Sequence, residues 1–332
     1  MKIAIDIMGG DYAPDEIVKG ALLALDAFDD IELVLVGRKE EITSRLGGWT
    51  DRIQLVHTDE VIAADEEPVR AVRRKKNASL VTCTRLVKEQ KVHACISAGN
   101  TGAYMTAGLL VTGRIKGIER PALATVMPTS TGSPVLLLDV GANVEAKPAH
   151  LVQYAWMGHI YANRVLHIPE PRIGLLNVGT EETKGNELVK SAYGRLKNEP
   201  LNFIGNIEAR DIPSGGADVV VCDGFTGNVV LKLTEGVAGS IFTMLKEVMT
   251  ATPVQKIGAL LLKPGLKGFK KKMDYTEYGG APLLGLDGIC IKAHGSSNAN
   301  AVKNAIRQAR ECITQDVAGL IRHELGKVSE TY

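Results

Sequence analysis

Short apolar runs recur through the chain, each stopping at a glycine or a polar turn, and this punctuation restricts the folds open to it. They fall at residues 2–10 (KIAIDIMGG), 31–37, 52–57, 93–100, 133–143 (SPVLLLDVGAN), 172–179 and 217–228. Apolar residues occupy both faces of most of them, as in strands buried on both sides. Helical patterns lie between many of the runs, at 14–28, 148–166 and 186–198. Such alternation predicts an α/β fold, a three-layer α/β/α arrangement around a largely parallel sheet. With 332 residues, 45% of them hydrophobic, and no repeat or low-complexity linker, residues 1–332 are expected to form a single two-lobed unit. The rhythm breaks at 231–275, where the pattern is helical and the next strand-like segment comes only near 288–293. A helical insertion is expected there.

Other classes are disfavoured. A net charge of +1 and an aromatic content of 5% do not suit a nucleic-acid partner. The cysteines (Cys83, Cys95, Cys222, Cys290 and Cys312) are odd in number and irregularly spaced, which argues against a disulfide framework and for a reducing cytoplasm. The opening MKIAIDIMGG reads as a strand and a turn, not a signal peptide. No apolar run approaches the roughly 20 residues that a spanning helix needs.

In open α/β sheets, ligands bind beyond the carboxyl ends of the strands. Six strand exits here are polar and glycine-rich. DIMGGDYAP places Asp6, Gly9, Gly10 and Asp11 where a tight turn or a close ligand contact is equally well served. SAGNTGAYMTAG places Ser97, Asn100, Thr101 and Gly102 before a helix, a setting that favours an anion over simple capping. DVGANVEAKP holds Asp139 and Asn143, either as a buried capping network or as a substrate contact. LLNVGTEETKGN holds Thr180 and Lys184. A lysine near a helix start is slightly unfavourable unless an anion is bound there, although Glu181 and Glu182 offer plain charge balance. CDGFTGNVVLK carries Asp223, Thr226 and Asn228. AHGSSNANA carries His294, Gly295, Ser296 and Ser297, with the histidine either a proton donor or a hydrogen-bonded structural residue. Together the exits predict a crevice of amides, hydroxyls and cations made for phosphate or a phosphoanhydride.

Two charged segments lie apart from the exits. Residues 66–80 hold Arg70, Arg73, Arg74, Lys75 and Lys76; such a run is either a solvated face or a dock for an acidic partner. Residues 253–273 hold six lysines and no acidic residue. Val254, Ile257, Leu260 and Leu261 share a helical face, and Leu266, Phe269 and Met273 follow after Pro264. That pattern suits an anionic membrane surface or a subunit interface.

The exits DIMGGDYAPDE, SAGNTGA, LDVGAN, LLNVGTEETKGN, DGFTGNV and AHGSSN stand in the same order as in the bacterial phosphate acyltransferases, and the chain resembles that family over about residues 1–325. The resemblance implies a reaction in which acyl-ACP and inorganic phosphate give acyl phosphate and free ACP (acyl carrier protein). A membrane glycerol-3-phosphate acyltransferase then uses the acyl phosphate in phospholipid synthesis. It further implies an isocitrate/isopropylmalate dehydrogenase-like fold, a homodimer, and a cytoplasmic enzyme that meets the membrane peripherally.

For such a reaction three catalytic residues are expected. Lys184 neutralises phosphate or the oxyanion, Asn228 donates to the oxyanion, and His294 protonates the departing thiolate. Phosphate or substrate contacts are expected from Asp6, Gly9, Gly10, Asn100, Thr101 and Gly102. Asp139, Asn143, Thr180, Asp223 and Thr226 are expected to add to them, with Gly295, Ser296 and Ser297. The basic run is the expected ACP dock, and Val254, Ile257, Leu260, Leu261 and Phe269 the expected membrane contact. The scheme requires no metal or other cofactor. The competing readings are a short-chain enzyme using acyl-CoA and a non-catalytic membrane-associated scaffold. A nicotinamide dehydrogenase would need a cofactor fingerprint, and GxGxxG is absent.

Overall fold

The structure, a computed structural model, describes residues 1–48, 51–273 and 279–328, the side chains of 267, 269–273, 327 and 328 excepted. The amino-terminal half runs β1 (Lys2–Asp6), α1 (Asp15–Ala27), β2 (Glu32–Gly37), α2 (Lys39–Thr43), β3 (Ile53–His57), α3 (Pro68–Arg74), α4 (Ser79–Lys88), β4 (Ala94–Ser97), α5 (Thr101–Ala107), β5 (Ala122–Met127) and β6 (Val135–Leu138). The rest runs α6 (Pro148–Arg164), β7 (Ile173–Asn177), α7 (Glu187–Leu196), β8 (Phe203–Glu208), β9 (Val219–Val221), α8 (Gly224–Thr250), α9 (Pro253–Met273), β10 (Ala281–Leu284), β11 (Ile289–Lys292), α10 (Ala299–Thr314) and α11 (Val317–Val328).

The strands form one sheet in the order β3-β2-β1-β4-β11-β10-β5-β6-β9-β7-β8. β3, β2, β1, β4 and β11 are mutually parallel. So are β6, β9, β7 and β8. β10 and β5 join the two sets through three antiparallel pairings. The expected α/β fold with a mostly parallel sheet is therefore present. The antiparallel joint makes the carboxyl ends of the two sets point to opposite edges of the sheet.

Strand alternation sends side chains into two cores. Ile3, Ile5, Leu35, Ile96, Leu136, Leu138 and Val219 pack with α1, α6, α10 and α11. Ala4, Val36, Cys95, Leu137 and Val220 pack on the other face with α3, α4 and α5. On α1 the buried positions Ile17, Val18, Ala21, Ala24 and Leu25 make one stripe at helical spacing. α10 lies close against it at Gly20, where an added Cβ would sit 2.5 Å from the Cβ of Val302.

The pattern of apolar runs does not foresee three strands: β5, β8 and β10. β10 contains Pro282, which argues against an interior strand because proline lacks a ladder donor; here Pro282 stands opposite Ile291. The helical segment begins at Gly224, where α8 starts directly from the β9 exit, rather than at residue 231. α8 and α9 pack on each other. α8 carries an exposed apolar row of Phe225, Val229, Leu233, Val237 and Ile241 at four-residue spacing. Among the described residues, no helix is long and apolar enough to cross a membrane.

Candidate active site

Three strand exits of the first set meet over the sheet. The Asp11 amide donates to the Gly295 carbonyl at 2.8 Å, and the Ala293 amide donates to the Ser97 carbonyl at 3.0 Å. The β1 turn presses on the β4 exit so closely that a Cβ on Gly9 would stand 2.7 Å from the Gly99 nitrogen and 2.4 Å from Asp6 Oδ2. Glycine is needed for that approach, and Gly10 adds a φ of +112°.

Beneath this junction Asp6 is buried. It accepts from Ser97 Oγ at 2.6 Å and from the Met8 amide at 3.2 Å. Ser97 Oγ in turn accepts from the Gly99 amide at 3.0 Å, so one carboxylate ties two turns together. Burial pushes the Asp6 pKa up; hydrogen bonds from Ser79, Ser97 and Met8, and the charge of Lys292, act the other way.

Lys292 ends β11 beside Asp6 and is only 6% exposed. Its ammonium donates to the Ala293 carbonyl. Burial lowers its pKa to about 8; Lys232 acts in the same direction, and Asp6 and Asp11 oppose it.

Exits of the second set form a different junction. Asp139 is fully buried and accepts from the amides of Leu123 (3.0 Å), Gly141 (3.2 Å), Ala142 (2.9 Å) and Asn143 (2.7 Å), and from Asn143 Nδ2 (3.0 Å). Asn143 Nδ2 also donates to the Pro121 carbonyl and the Tyr154 hydroxyl. α8 starts directly on this turn. The Gly224 amide donates to the Asn143 carbonyl at 2.9 Å, and Asp223 caps α8 by accepting from the amide and hydroxyl of Thr226.

The two junctions face each other across a crevice of two adjoining cavities. The first, about 400 Å³, has Met105, Leu123, Val140 and Leu231 on its apolar side and Asn228, Lys232, Glu235 and His294 on its polar side. The second, about 460 Å³, lies between the β1 exit, the β4 exit and the segment 61–64. Thr101, Gly102, Lys292 and Gly295 border both. His294 Nδ1 accepts from the Ser296 amide at 3.2 Å and lies 2.8 Å from Ser296 Oγ, which leaves the proton of the neutral ring on Nε2. Desolvation lowers the His294 pKa, with Lys232 and Lys292 adding to the effect and Glu235 and Asp11 opposing it. Lys232 is paired with Glu235 at 2.7 Å. Among the described residues no group of three or more metal-ligating side chains is gathered.

The family model described as "Fatty acid synthesis protein" matches residues 1–320. Phosphate acyltransferase from Desulfitobacterium hafniense (strain Y51) is 59% identical over 328 residues, covering 98% of this chain and 97% of its own. Phosphate acyltransferase from Bacillus subtilis (strain 168) is 58% identical over 326 residues, covering 98% of each. The chain belongs to the phosphate acyltransferase family. Its fold is shared with a phosphotransacetylase from Streptococcus pyogenes (TM-score 0.64, 17% identity, 95% and 94% of the two chains covered). The EutD phosphotransacetylase from Staphylococcus aureus is also similar in fold (TM-score 0.58, 16% identity, 94% of each).

Within this family member, the crevice gathers some of the residues expected from sequence and leaves out others. Gly9, Gly10, Asn100, Thr101, Gly102, Asn228, His294, Gly295 and Ser297 line it. Asn100 does so as a cap: its Oδ1 accepts from the Ala103 amide, and its Nδ2 donates to carbonyls of Ala63, Ala64 and Glu66. Ser296 borders neither cavity; its Oγ lies 2.8 Å from His294 Nδ1.

Asp6, Asp139 and Asn143 stand apart from the crevice, and for Asp139 and Asn143 the buried capping network is the arrangement seen. They are buried beneath the turns with their polar atoms engaged, and border neither cavity. Asp223 and Thr226 likewise cap α8 outside the lining.

Thr180 and Lys184 are the largest displacement. They sit exposed at the β7 exit and line neither cavity, because β7 lies beyond β9 in the outer part of the second set. There the Lys184 amide donates to the Glu181 carbonyl, and Asn177 Nδ2 donates to the Lys184 carbonyl at 3.1 Å. Sequence reasoning missed Lys292, Lys232 and Glu235. A signal for Lys292 was present: a charged residue closes the otherwise apolar run ICIK immediately before AHG.

Outside the crevice, Arg70, Arg73, Arg74 and Lys76 are exposed on and just after α3. Lys75 instead turns inward, donating to the Val61 carbonyl at 2.8 Å and to Glu66 at 2.6 Å. Val254, Ile257, Leu260 and Leu261 are exposed on α9, Leu261 at 78%. The side chain of Phe269 lies outside the described residues.

Proposed function

We propose that the protein transfers a long-chain fatty acyl group from acyl-ACP to inorganic phosphate, releasing free ACP and an acyl phosphate for phosphatidic acid synthesis by a membrane glycerol-3-phosphate acyltransferase. The observation that carries this reading is the crevice itself. A glycine-walled polar cavity opens onto a cavity with an apolar side at a buried lysine. An oxyanion and an aliphatic chain need those two environments side by side.

In the reaction a phosphate oxygen attacks the thioester carbonyl carbon, and the C–S bond breaks as the carbonyl re-forms. The hydrogen of monohydrogen phosphate ends on the carrier thiol, so atoms and charge balance without a covalent enzyme intermediate. Positioning supplies much of the rate. Asn228 and the Nε2–H of neutral His294 are donors for the developing oxyanion. His294 is thus read as a donor more than as an acid, since its lowered pKa keeps it neutral near pH 7. The test compares long-chain acyl-ACP with acetyl-CoA as acyl donors at saturating phosphate. A higher kcat/KM for acetyl-CoA would sink the long-chain reading.

ACP is strongly acidic, and α3, which carries the basic side chains, starts beside the crevice. Pro68, the first residue of α3, is packed on Gly102 so tightly that a Cβ there would stand 2.6 Å from the proline Cγ. The double substitution Arg70→Glu/Arg74→Glu is expected to raise KM for acyl-ACP by about tenfold, less at high salt, with KM for phosphate unchanged. An unchanged KM for acyl-ACP at low salt would remove α3 as the dock.

The exposed apolar residues of α9, among lysines and without acidic residues, suit reversible contact with anionic lipid. Leu261→Glu is expected to weaken binding to anionic vesicles about tenfold, as a charge replaces a buried isobutyl group. Equal co-sedimentation of variant and parent with vesicles would exclude this contact. The apolar row of α8 is read as the homodimer surface, and a monomer in analytical ultracentrifugation would remove it.

A further inference from the structure

Resting on the phosphate acyl-transfer reading, we propose that Lys292 holds the attacking phosphate and that the cavities it joins divide the substrates. Phosphate occupies the cavity between the β1 and β4 exits. The acyl thioester occupies the cavity between α5, β5 and α8.

The walls differ in kind. Around the phosphate cavity stand Gly9, Gly10, Gly99, Gly102, Ala63 and Ala64, which bring backbone close, and Asp11 is the carboxylate that also borders it. Lys292 is the sole lysine or arginine lining that cavity among the described residues. Such a space fits a small, strongly hydrated anion that exchanges water for amides and one ammonium. The other cavity offers Met105, Leu123, Val140 and Leu231, a surface for methylenes, with Asn228 and His294 beside it. A phosphate on Lys292 therefore faces a carbonyl held at the shared border of Thr101, Gly102 and Gly295.

The setting of Lys292 is costly without a ligand. Burying an ammonium is unfavourable unless it is paired and hydrogen-bonded. It has three donors, and the Ala293 carbonyl takes one. Asp6 attracts it, but that carboxylate already accepts from Ser97 and Met8. A dianion in the cavity supplies the charge and the acceptors that this ammonium can use. Lys232, the other cation of the crevice, is exposed and already paired with Glu235, which makes it the weaker candidate.

Steady-state kinetics with palmitoyl-ACP and phosphate test the assignment. Lys292→Met is expected to raise KM for phosphate about 30-fold, the loss of a charge-assisted hydrogen bond, while KM for acyl-ACP stays within about threefold. In the parent protein KM for phosphate should climb as pH rises through about 8, where Lys292 loses its charge. The charged groups that act on it are Asp6 on β1, Asp11 in the β1 exit and Lys232 on α8, with the titrating His294 next to it in the β11 exit. Lys292→Arg keeps the cation at every pH and should flatten that climb, which a purely structural role would not do.

If the variants do not fold, the parent protein still decides. Acetic anhydride at pH 8 should acetylate Lys292, and millimolar phosphate should protect it, as read by peptide mass spectrometry. Labelling indifferent to phosphate, or an unchanged KM for phosphate in folded Lys292→Met, overturns the assignment. Absence of phosphate-dependent ACP release by the parent protein would instead overturn the functional reading, with the protection experiment still reporting whether phosphate sits on Lys292.

Discussion

Gly227→Ala is expected to destabilise the protein by about 3 kcal/mol, at the upper end for overpacking, and to lower turnover at temperatures where the variant stays folded. The methyl group would sit 1.9 Å from the Asp139 carbonyl oxygen, 2.8 Å from Cys222 Sγ and 2.9 Å from the Asp139 carbonyl carbon. Two of those three atoms are backbone, held by the β6–β9 pairing, so relief requires moving the start of α8. Asn228 is the next residue and would move with it. A displacement of about 1 Å at a reacting centre costs on the order of 100-fold in rate. Gly236→Ala is the matched control on the same helix: its Cβ would meet nothing within 4 Å, and it should stabilise by about 0.5–1 kcal/mol. Urea unfolding of both variants reads the difference, and equal midpoints would refute the close approach of α8 to the β6 exit.

Asp139→Ala is expected to cost on the order of 4 kcal/mol, because it leaves several buried donors without an acceptor at once. The amides of Leu123, Gly141, Ala142 and Asn143, and the Asn143 side chain, all converge on this carboxylate. Burial raises its pKa, and these donors offset part of the rise. Asp139→Asn keeps one acceptor oxygen and should lose less. The measurement is the unfolding free energy from urea titration. A loss under about 1 kcal/mol for Asp139→Ala, the size of one ordinary hydrogen bond, would show that Asp139 is not what holds the β6 exit, and would restore a substrate contact as its purpose.

The contrast between Asp139 and Lys292 shows what the sequence could and could not convey. Both close an apolar strand, and residue type alone left the aspartate open as a substrate contact or a buried cap. Burial and five donated hydrogen bonds assign Asp139 to the turn, whereas Lys292 is buried and still borders two cavities. Side-chain direction at a strand end depends on tertiary packing, which one-dimensional spacing does not carry.

Strands flanked by glycine turns were legible because both of their faces are buried. β5 and β10 were not: short apolar runs have no period of their own, and Pro282 masked the second. These two strands make the antiparallel joint, so missing them hid the reversal of strand direction. The β7 exit, chemically so like the others, stands apart with Lys184 because β7 lies beyond β9 in the sheet, while Val140 and Gly141 of the β6 exit and Asn228 of α8 reach the crevice. On this geometry Lys292, not Lys184, is the cation that the crevice of a single chain supplies.

The fate of labelled inorganic phosphate decides whether phosphate is the acyl acceptor. The protein is incubated with palmitoyl-ACP and radiolabelled phosphate, and the lipid phase is extracted and treated with hydroxylamine. Label entering the lipid phase in step with free ACP, and released by hydroxylamine as palmitoyl hydroxamate forms, is the predicted result. Free fatty acid and free ACP without label in the lipid phase would mean that water, not phosphate, takes the acyl group, and would contradict phosphate as the acceptor held in the crevice.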